Sequence, residues 1–416
     1  MDAIRGIRIS SGHLIVAFII FFSFFFLLNL IRQPVIDWDE AVYLYLSEHM
    51  TWYFTQYTTQ GSFIDNALPQ GVYSSPVFHH PPLIPYLIKL LSFAGAKAGG
   101  KILNFFLYGF SLYLVFVIGQ KLSDLKGALL ALTLWVVCPI FNLEARIVHL
   151  DFPCTVLILA GFWFYLKSQE RLPDRKHLAL AGIAFALAML TKYTAPLYVG
   201  MAALLFMTNK DQIRDLRSWI SFGGPLVFGF VWWIYILIRF GSLTPSEFIE
   251  GPSTTNLTPY LKSISERGWY DIWIYFLAIC PLFIIYVWGI AKHLLRLTGN
   301  YRGYYQLPDN VRVLLAGNIG MLLAVILFSF VNALTNGYWI LRHIMPIFPI
   351  IYITIGWLIS NLWDRGNRVF NAYLIPFVLM TLIIMISSTF ATTANVRNLK
   401  VIPILLFWVK LEYLFH

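Results

Sequence analysis

From residue 14 onward the sequence is a succession of long apolar runs separated by polar segments: 14–31, 102–120, 127–143, 152–167, 178–208, 219–239, 271–291, 313–331, 340–360 and 369–390. A helix needs about 20 apolar residues to cross a hydrocarbon core of about 30 Å. In that solvent it is also the structure that satisfies its own backbone. The pattern predicts an all-α polytopic membrane protein. Composition agrees: 59% of the 416 residues are hydrophobic and only 12% are charged, too few to cover a soluble globule of this length. The net charge of +10 is then a topology signal to be read loop by loop, and no nucleic-acid partner is implied. Cys138, Cys154 and Cys280 all fall in apolar runs without a CxxC spacing, which favours packing roles over a disulfide framework or a zinc cluster.

The run 178–208 decides the threading. It is too long for one perpendicular span and slightly short for two, and "TKYTAP" (191–196) interrupts it with a charge and a proline. Read as a hairpin, it places every strongly basic loop on one side: Arg5 and Arg8, Lys121 and Lys126, and the loops at 167–176, 210–217, 292–312 and 365–368. A single span would send the later basic loops across the membrane. The positive-inside rule selects the hairpin, giving about eleven spans with a cytoplasmic N-terminus. The first run is too long for a cleaved signal and is expected to remain as a span. The expected organisation is one transmembrane domain over 1–416, with a first extracytoplasmic loop at 32–101. A short half-helix or interfacial segment is expected at 401–416, with no soluble domain after it.

That orientation sorts the unusual polar residues to the opposite face: "DWDEAVY" (37–43), "HHPPL" (79–83), "EARIVHLD" (144–151), "TKY" (191–193), "EFIEG" (247–251) and "RHIMP" (342–346). Charge at bilayer depth is expensive unless paired or wet. Any one of these groups alone could be a helix-end or snorkelling residue. Six on one face favour a site for a charged, lipid-linked substrate. In the first loop, the spacing of "AVYLYLSEHM" (41–50) predicts a helix lying along the membrane surface. "VFHHPPLIPYLIKLLSF" (77–93) predicts a proline-started helix too short to span. Together they are expected to roof a cavity, with Asp39 and Glu40 at the start of the first helix, where carboxylates can also act as cap and dipole partners.

This ordered set resembles the GT-C membrane glycosyltransferases, in particular the protein O-mannosyltransferase and aminoarabinose-transferase branch. The residues that carry the resemblance are Asp39-Glu40 with Tyr43, "HPPL", an R(x4)D pattern at Arg146 and Asp151, "LTK" at Leu190, Thr191 and Lys192, and "RHIMPIFP" (342–349). The resemblance implies a GT-C-like bundle whose first external loop holds the catalytic acid. It also implies a sugar on a polyprenyl phosphate as donor, membrane lipid as surroundings, and a glycan, lipid or protein as acceptor. The sequence departs from the branch in lacking the C-terminal soluble domain of many members. It also has His80 where the aminoarabinose transferases carry Lys before the proline pair.

The chemistry asks for few parts. A glycosyl phosphate already carries a good leaving group, so the enzyme needs a carboxylate to take the acceptor's proton and cations to hold the departing phosphate. Asp39 is the candidate base of an inverting transfer, with Glu40 as its orienting partner or substitute. Arg342 and Lys192 are assigned to the phosphate, with His343 and Arg146 as alternates, because guanidinium forks match phosphate oxygens. Asp151 is expected to position Arg146 or a sugar hydroxyl. His79, His80 and Tyr193 complete the candidate substrate contacts. A divalent metal held by His79 and His80 with Glu40 or Glu247 is the alternative use of the histidines, although two adjacent His do not easily share one ion from a helix. The competing function class is a transporter or a flippase for lipid-linked sugars. Against it, the halves show no inverted repeat and the charges gather at one face rather than at mid-membrane. The expected location is a multi-pass membrane protein with its active site on the extracytoplasmic face. In a background lacking the native cysteines, a cysteine at Ser253 is expected to react with an impermeant thiol reagent from outside, and one at Gln169 is not; the reverse labelling pattern inverts the topology.

Overall fold

The computed structural model describes residues 11–31, 38–52, 57–59, 62, 80–170, 174–192, 194–240, 280–298, 307–334, 344–366 and 368–395. The candidate residues His79, Tyr193, Glu247, Arg342 and His343, and the segment 401–416, lie outside these. Among the described residues there is no strand. The helices are α1 (Ser11–Ile31), α2 (Trp38–His49), α3 (Leu83–Leu91), α4 (Ala96–Leu122), α5 (Leu125–Val136), α6 (Pro139–Glu144), α7 (Asp151–Ser168) and α8 (Arg175–Met189). After them come α9 (Val199–Phe206), α10 (Lys210–Arg214), α11 (Leu216–Phe228), α12 (Val231–Phe240), α13 (Phe283–Thr298), α14 (Asp309–Leu334), α15 (Ile347–Arg365) and α16 (Arg368–Asn395).

Three described segments, Ala96–Leu122, Asp309–Leu327 and Ile347–Asp364, are long and apolar enough to cross a membrane. Leu216–Phe228 and Val231–Arg239 pass together as one span bent by 45° at Gly229 and Phe230. The run at 127–143 is not continuous: α5 stops at Val136, and Pro139, which has no N–H to donate, opens α6 instead. The run at 178–208 breaks within the "TKYTAP" stretch. Beyond the break, Ala195–Phe206 is apolar but shorter than the roughly 20 residues that a full span requires.

Helix α4 is the hub of the bundle, packing against α1, α2, α3, α5, α7, α14 and α15. Apolar helices gain little by leaving an apolar solvent for one another, so close van der Waals fit and internal polar bonds hold such a bundle. At the crossing of α5 and α15, a Cβ built on Gly356 would lie 2.2 Å from the carbonyl oxygen of Gly127. Asn318 on α14 donates to Thr354 Oγ1 on α15 at 2.9 Å and accepts from Tyr286 OH on α13 at 2.9 Å, tying three helices together. A second apolar cluster lies over one end of α4. It joins Val42 and Leu46 of α2, Met50 just after it, Ile84 and Ile88 of α3, Val148 and Leu150, and Trp232 and Ile236 of α12.

The two ends of the bundle use their polar residues differently. At the end carrying the basic loops, Asp124, Asp174, Asn209 and Asp215 each cap the helix that follows by accepting a backbone N–H. Lys121 pairs with Glu170 at 2.9 Å and Lys126 with Asp364 at 2.8 Å. At the other end, Pro82, Cys138 and Leu150 precede α3, α6 and α7 with no side-chain cap. The acids there bond across the chain instead. Because the Gly356 contact is with backbone, Gly356→Ala is expected to force the α5–α15 crossing apart and cost about 1–3 kcal/mol. Gly223→Ala, whose Cβ would meet nothing within 4 Å, is expected to be tolerated; thermal unfolding of both variants in detergent checks the contrast.

Candidate active site at the first-loop helices

Helix α2 begins at Trp38, earlier than the apolar spacing alone indicates, so Asp39 and Glu40 occupy its first turn, where the positive end of the helix dipole favours carboxylates. Successive residues on a helix point about 100° apart, and the two acids meet different surroundings. Glu40 is fully buried, whereas Asp39 is half-buried. Glu40 Oε1 accepts from Lys101 Nζ at 3.0 Å and from the Val148 N–H at 3.2 Å. Lys101, on α4, also donates to the carbonyl of Arg146 at 2.7 Å. Three residues along the same helix, Asn104 donates to the carbonyls of Ala145 and Ile147 at 3.0 and 2.8 Å. One face of α4 thus grips both the first turn of α2 and the turn at 145–148. Gly100 permits the approach, because a Cβ there would stand 2.8 Å from Val148 Cγ2 and 3.3 Å from Leu44 Cδ2.

The "HPPL" stretch is docked onto the same assembly. The Leu83 N–H donates to the carbonyl of Leu190 at 3.2 Å, joining this stretch to "LTK" across more than a hundred residues. Tyr86 OH donates to the Thr51 carbonyl at 3.3 Å. The His80 ring stands edge-on to Tyr43 with centroids 6.1 Å apart. The two short helices expected in the first loop are present, and beneath Glu40 lie packed side chains and the 145–148 turn.

The stretch from Glu144 to Asp151 is made of pairs. Glu144 Oε2 and His149 Nδ1 are 2.8 Å apart, both buried. Asp151, in the first turn of α7, forms a buried ion pair with Lys192, just past the end of α8. The sequence expectation set Asp151 to position Arg146 or a sugar hydroxyl and Lys192 to hold the phosphate; in the structure the two side chains lie against each other. The reason is topological: α7 and α8 pack side by side, joined by a short loop, which brings the start of one beside the end of the other. Arg146 differs from Lys192. Its Nε is buried without a hydrogen-bond partner, and no carboxylate among the described residues lies within ion-pair distance. Burial lowers its proton affinity from the ordinary value, partly offset by nearby Tyr108.

Asp39, Glu40, His80, Arg146, Asp151 and Lys192 are therefore gathered around one end of α4, α7 and α8, whereas His79, Tyr193, Arg342 and His343 lie outside the described residues. Among the described residues no three His, Cys, Asp or Glu side chains are grouped to hold a metal ion. Lys101 escaped the sequence reading because it stands one residue before the apolar run at 102–120 and passes for the end of a loop. The signal was available: a lysine behind Gly99-Gly100 at the mouth of a span is a charge that needs a partner. Breaking a buried pair by removing one partner strands a charge, typically at a cost of about 3–5 kcal/mol. Lys192→Met is expected to be destabilised to that extent, and Asp151→Asn/Lys192→Met to recover most of the loss, read as unfolding midpoints.

Comparison with known proteins bears on the fold. Residues 79–237, less than half of the chain, match the family model described as dolichyl-phosphate-mannose-protein mannosyltransferase. No curated protein sequence matches. ArnT from Cupriavidus metallidurans, solved bound to undecaprenyl phosphate, is similar at a TM-score of 0.53 and 16% identity, covering 88% of this chain and 62% of ArnT. The oligosaccharyltransferase of Archaeoglobus fulgidus, solved tethered to an acceptor peptide containing the NVT sequon, is similar at a TM-score of 0.53 and 13% identity, covering 91% of this chain and 55% of the other. The same enzyme, AglB, in complex with an inhibitory peptide and a dolichol-phosphate, gives a TM-score of 0.51 at 12% identity, covering 91% of this chain and 56% of the other. The chain thus spans about three fifths of the length of the solved structures it matches. It is an all-α polytopic membrane protein with the fold of the GT-C glycosyltransferases.

Proposed function

We propose that this protein is a glycosyltransferase that moves a sugar from a polyprenyl-phosphate donor to a hydroxyl-bearing acceptor on the extracytoplasmic side of the membrane. The observation that carries the reading is the division between the two first-loop acids. Glu40 is consumed by Lys101 and the Val148 amide, while its neighbour Asp39, in the same turn, remains half-buried at the edge of the assembly. A base must reach its substrate, and a fully buried carboxylate already accepting two bonds does not.

In this reading Asp39 takes the proton of the acceptor hydroxyl as that oxygen attacks the anomeric carbon from the face opposite the phosphate, inverting the configuration. The bond to the phosphate oxygen breaks as the new glycosidic bond forms, and the polyprenyl phosphate leaves as an anion. With Lys192 committed to Asp151, the described cation best suited to that anion is Arg146, whose fork can grip two phosphate oxygens. Arg342 and His343 are retained as further candidates from the sequence. His80 is assigned to the substrate wall beside Tyr43. The solved relatives hold undecaprenyl phosphate or dolichol-phosphate, which supports a lipid phosphate as the leaving group here.

The test is to incubate purified protein with radiolabelled polyprenyl-phosphate sugars and follow donor consumption. Asp39→Asn is expected to lower turnover by about two to four orders of magnitude, the range for a lost general base. Arg146→Ala is expected to weaken binding of sugar-free polyprenyl phosphate, with Arg146→Lys intermediate. Full turnover in Asp39→Asn removes it as the base. Vesicle-to-vesicle movement of donor without consumption turns the reading to a flippase.

A further inference from the structure

We propose that Lys101 is a positioning residue for the transfer: it fixes the helix that carries Asp39 and the turn that carries Arg146 in one register, and by engaging Glu40 it leaves the Arg146 guanidinium for an anion. The inference rests on the functional reading above, and neither the motif pattern nor the similarity to known structures draws attention to this residue.

Lys101 makes two polar contacts through its side chain. Its ammonium donates to a side chain on one side and a main-chain carbonyl on the other, Glu40 Oε1 at 3.0 Å and Arg146 O at 2.7 Å. Those two acceptors belong to segments more than a hundred residues apart, and both are adjacent to groups assigned chemical roles. Glu40 follows Asp39 directly, and the Arg146 carbonyl belongs to the residue whose guanidinium is the candidate phosphate ligand. The helix that carries Lys101 is the hub of the bundle, so the contact refers two loop elements to a rigid frame. Asn104 and Gly100 reinforce it on the same face without carrying charge.

The electrostatic part is separate from the geometric one. The Val148 N–H that also binds Glu40 lies only two residues from Arg146. Were Lys101 neutral, the buried Glu40 carboxylate would lose its ammonium partner beside a turn whose guanidinium has no acidic partner among the described residues. The natural relief is for Arg146 to turn toward Glu40, which would cost the site its uncommitted cation. Lys101 satisfies Glu40 and removes that attraction. A purely structural lysine would hold the fold alone; this placement also decides what Arg146 can bind.

Four proteins test the idea: the parent, Lys101→Arg, Lys101→Met and Glu40→Gln/Lys101→Met, each confirmed monodisperse in detergent and assayed with a polyprenyl-phosphate sugar. Lys101→Met is expected to lose about 10²-fold in kcat, the scale of an approximately 1 Å misplacement of reacting groups. Lys101→Arg is expected to stay within about tenfold of the parent, and the double variant to regain at least about tenfold over Lys101→Met, because it removes the stranded charge. A kcat in Lys101→Met within about threefold of the parent overturns the proposal, as does a double variant no better than the single one. Hydrogen–deuterium exchange is the readout independent of turnover. Lys101→Met is expected to raise exchange in 38–49 and 144–150 while leaving α13 to α15 as in the parent. If the parent consumes no donor, the glycosyltransferase reading fails, and the exchange pattern still decides whether Lys101 is the clamp. Uniform exchange across all helices, or no local change at 38–49, rejects it. Should Lys101→Met not fold, the double variant, which buries no unpaired charge, carries both measurements.

Discussion

A single buried ion pair, Lys101 with Glu40, joins the first loop to the membrane bundle. An isolated pair of this kind is a poor stabiliser, since taking two charges out of water costs several kcal/mol each unless the remaining hydrogen-bonding capacity is met. Here it is met at both ends, by the Val148 N–H on the acid and the Arg146 carbonyl on the base. What such a pair provides is uniqueness. The apolar face of α2 could slide on an apolar bundle with little penalty, whereas displacing Glu40 from Lys101 by one residue would break a buried ion pair.

The asymmetry between the two ends of the bundle follows the same logic. At the basic end, aspartates and an asparagine cap the helices they precede, and lysines pair with acids at exposed positions where each bond is worth little. At the opposite end Glu40 and Asp151 lie in first turns, yet they bond to Lys101 and Lys192 from other segments, and the Leu83 N–H bonds across to the Leu190 carbonyl. The local explanation, that each is an ordinary helix-end residue, accounts for the first end and not for the second. An end stabilised by long-range polar contacts keeps a fixed shape, as a site for a charged substrate requires.

In the proposed transfer, adjacent acids with different environments take different work. Glu40, fully buried and accepting from Lys101 and the Val148 N–H, acts on geometry; Asp39, half-buried, is the acid assigned to the acceptor. The cations divide in the same way. Lys101 and Lys192 each answer a buried carboxylate, and Arg146, half-buried with no carboxylate partner among the described residues, is left for an anion. That division could not be inferred by counting charges in a loop, because each stretch contains acids and bases alike.

The sequence by itself determined the helical membrane class, the break after residue 190 and the two short helices of the first loop. Each of these is written in local spacing: apolar run length, a proline at a fixed place, charge bias between spans. It also carried the likeness to GT-C enzymes, through short motifs in a fixed order. Which acid pairs with which base was decided only by the tertiary structure. Lys101 and Glu40 are 61 residues apart, and Asp151 and Lys192 are 41 apart. The second pairing was almost legible, since the start of one helix and the end of its neighbour across a short loop must lie together. The first was not, because it depends on how α2 folds back over α4, and that is set by the close approach at Gly100 and an apolar cluster drawn from six separate segments. Hydropathy is a property of each residue and survives in the sequence; charge compensation is a property of neighbours in space and appears only once the chain has folded.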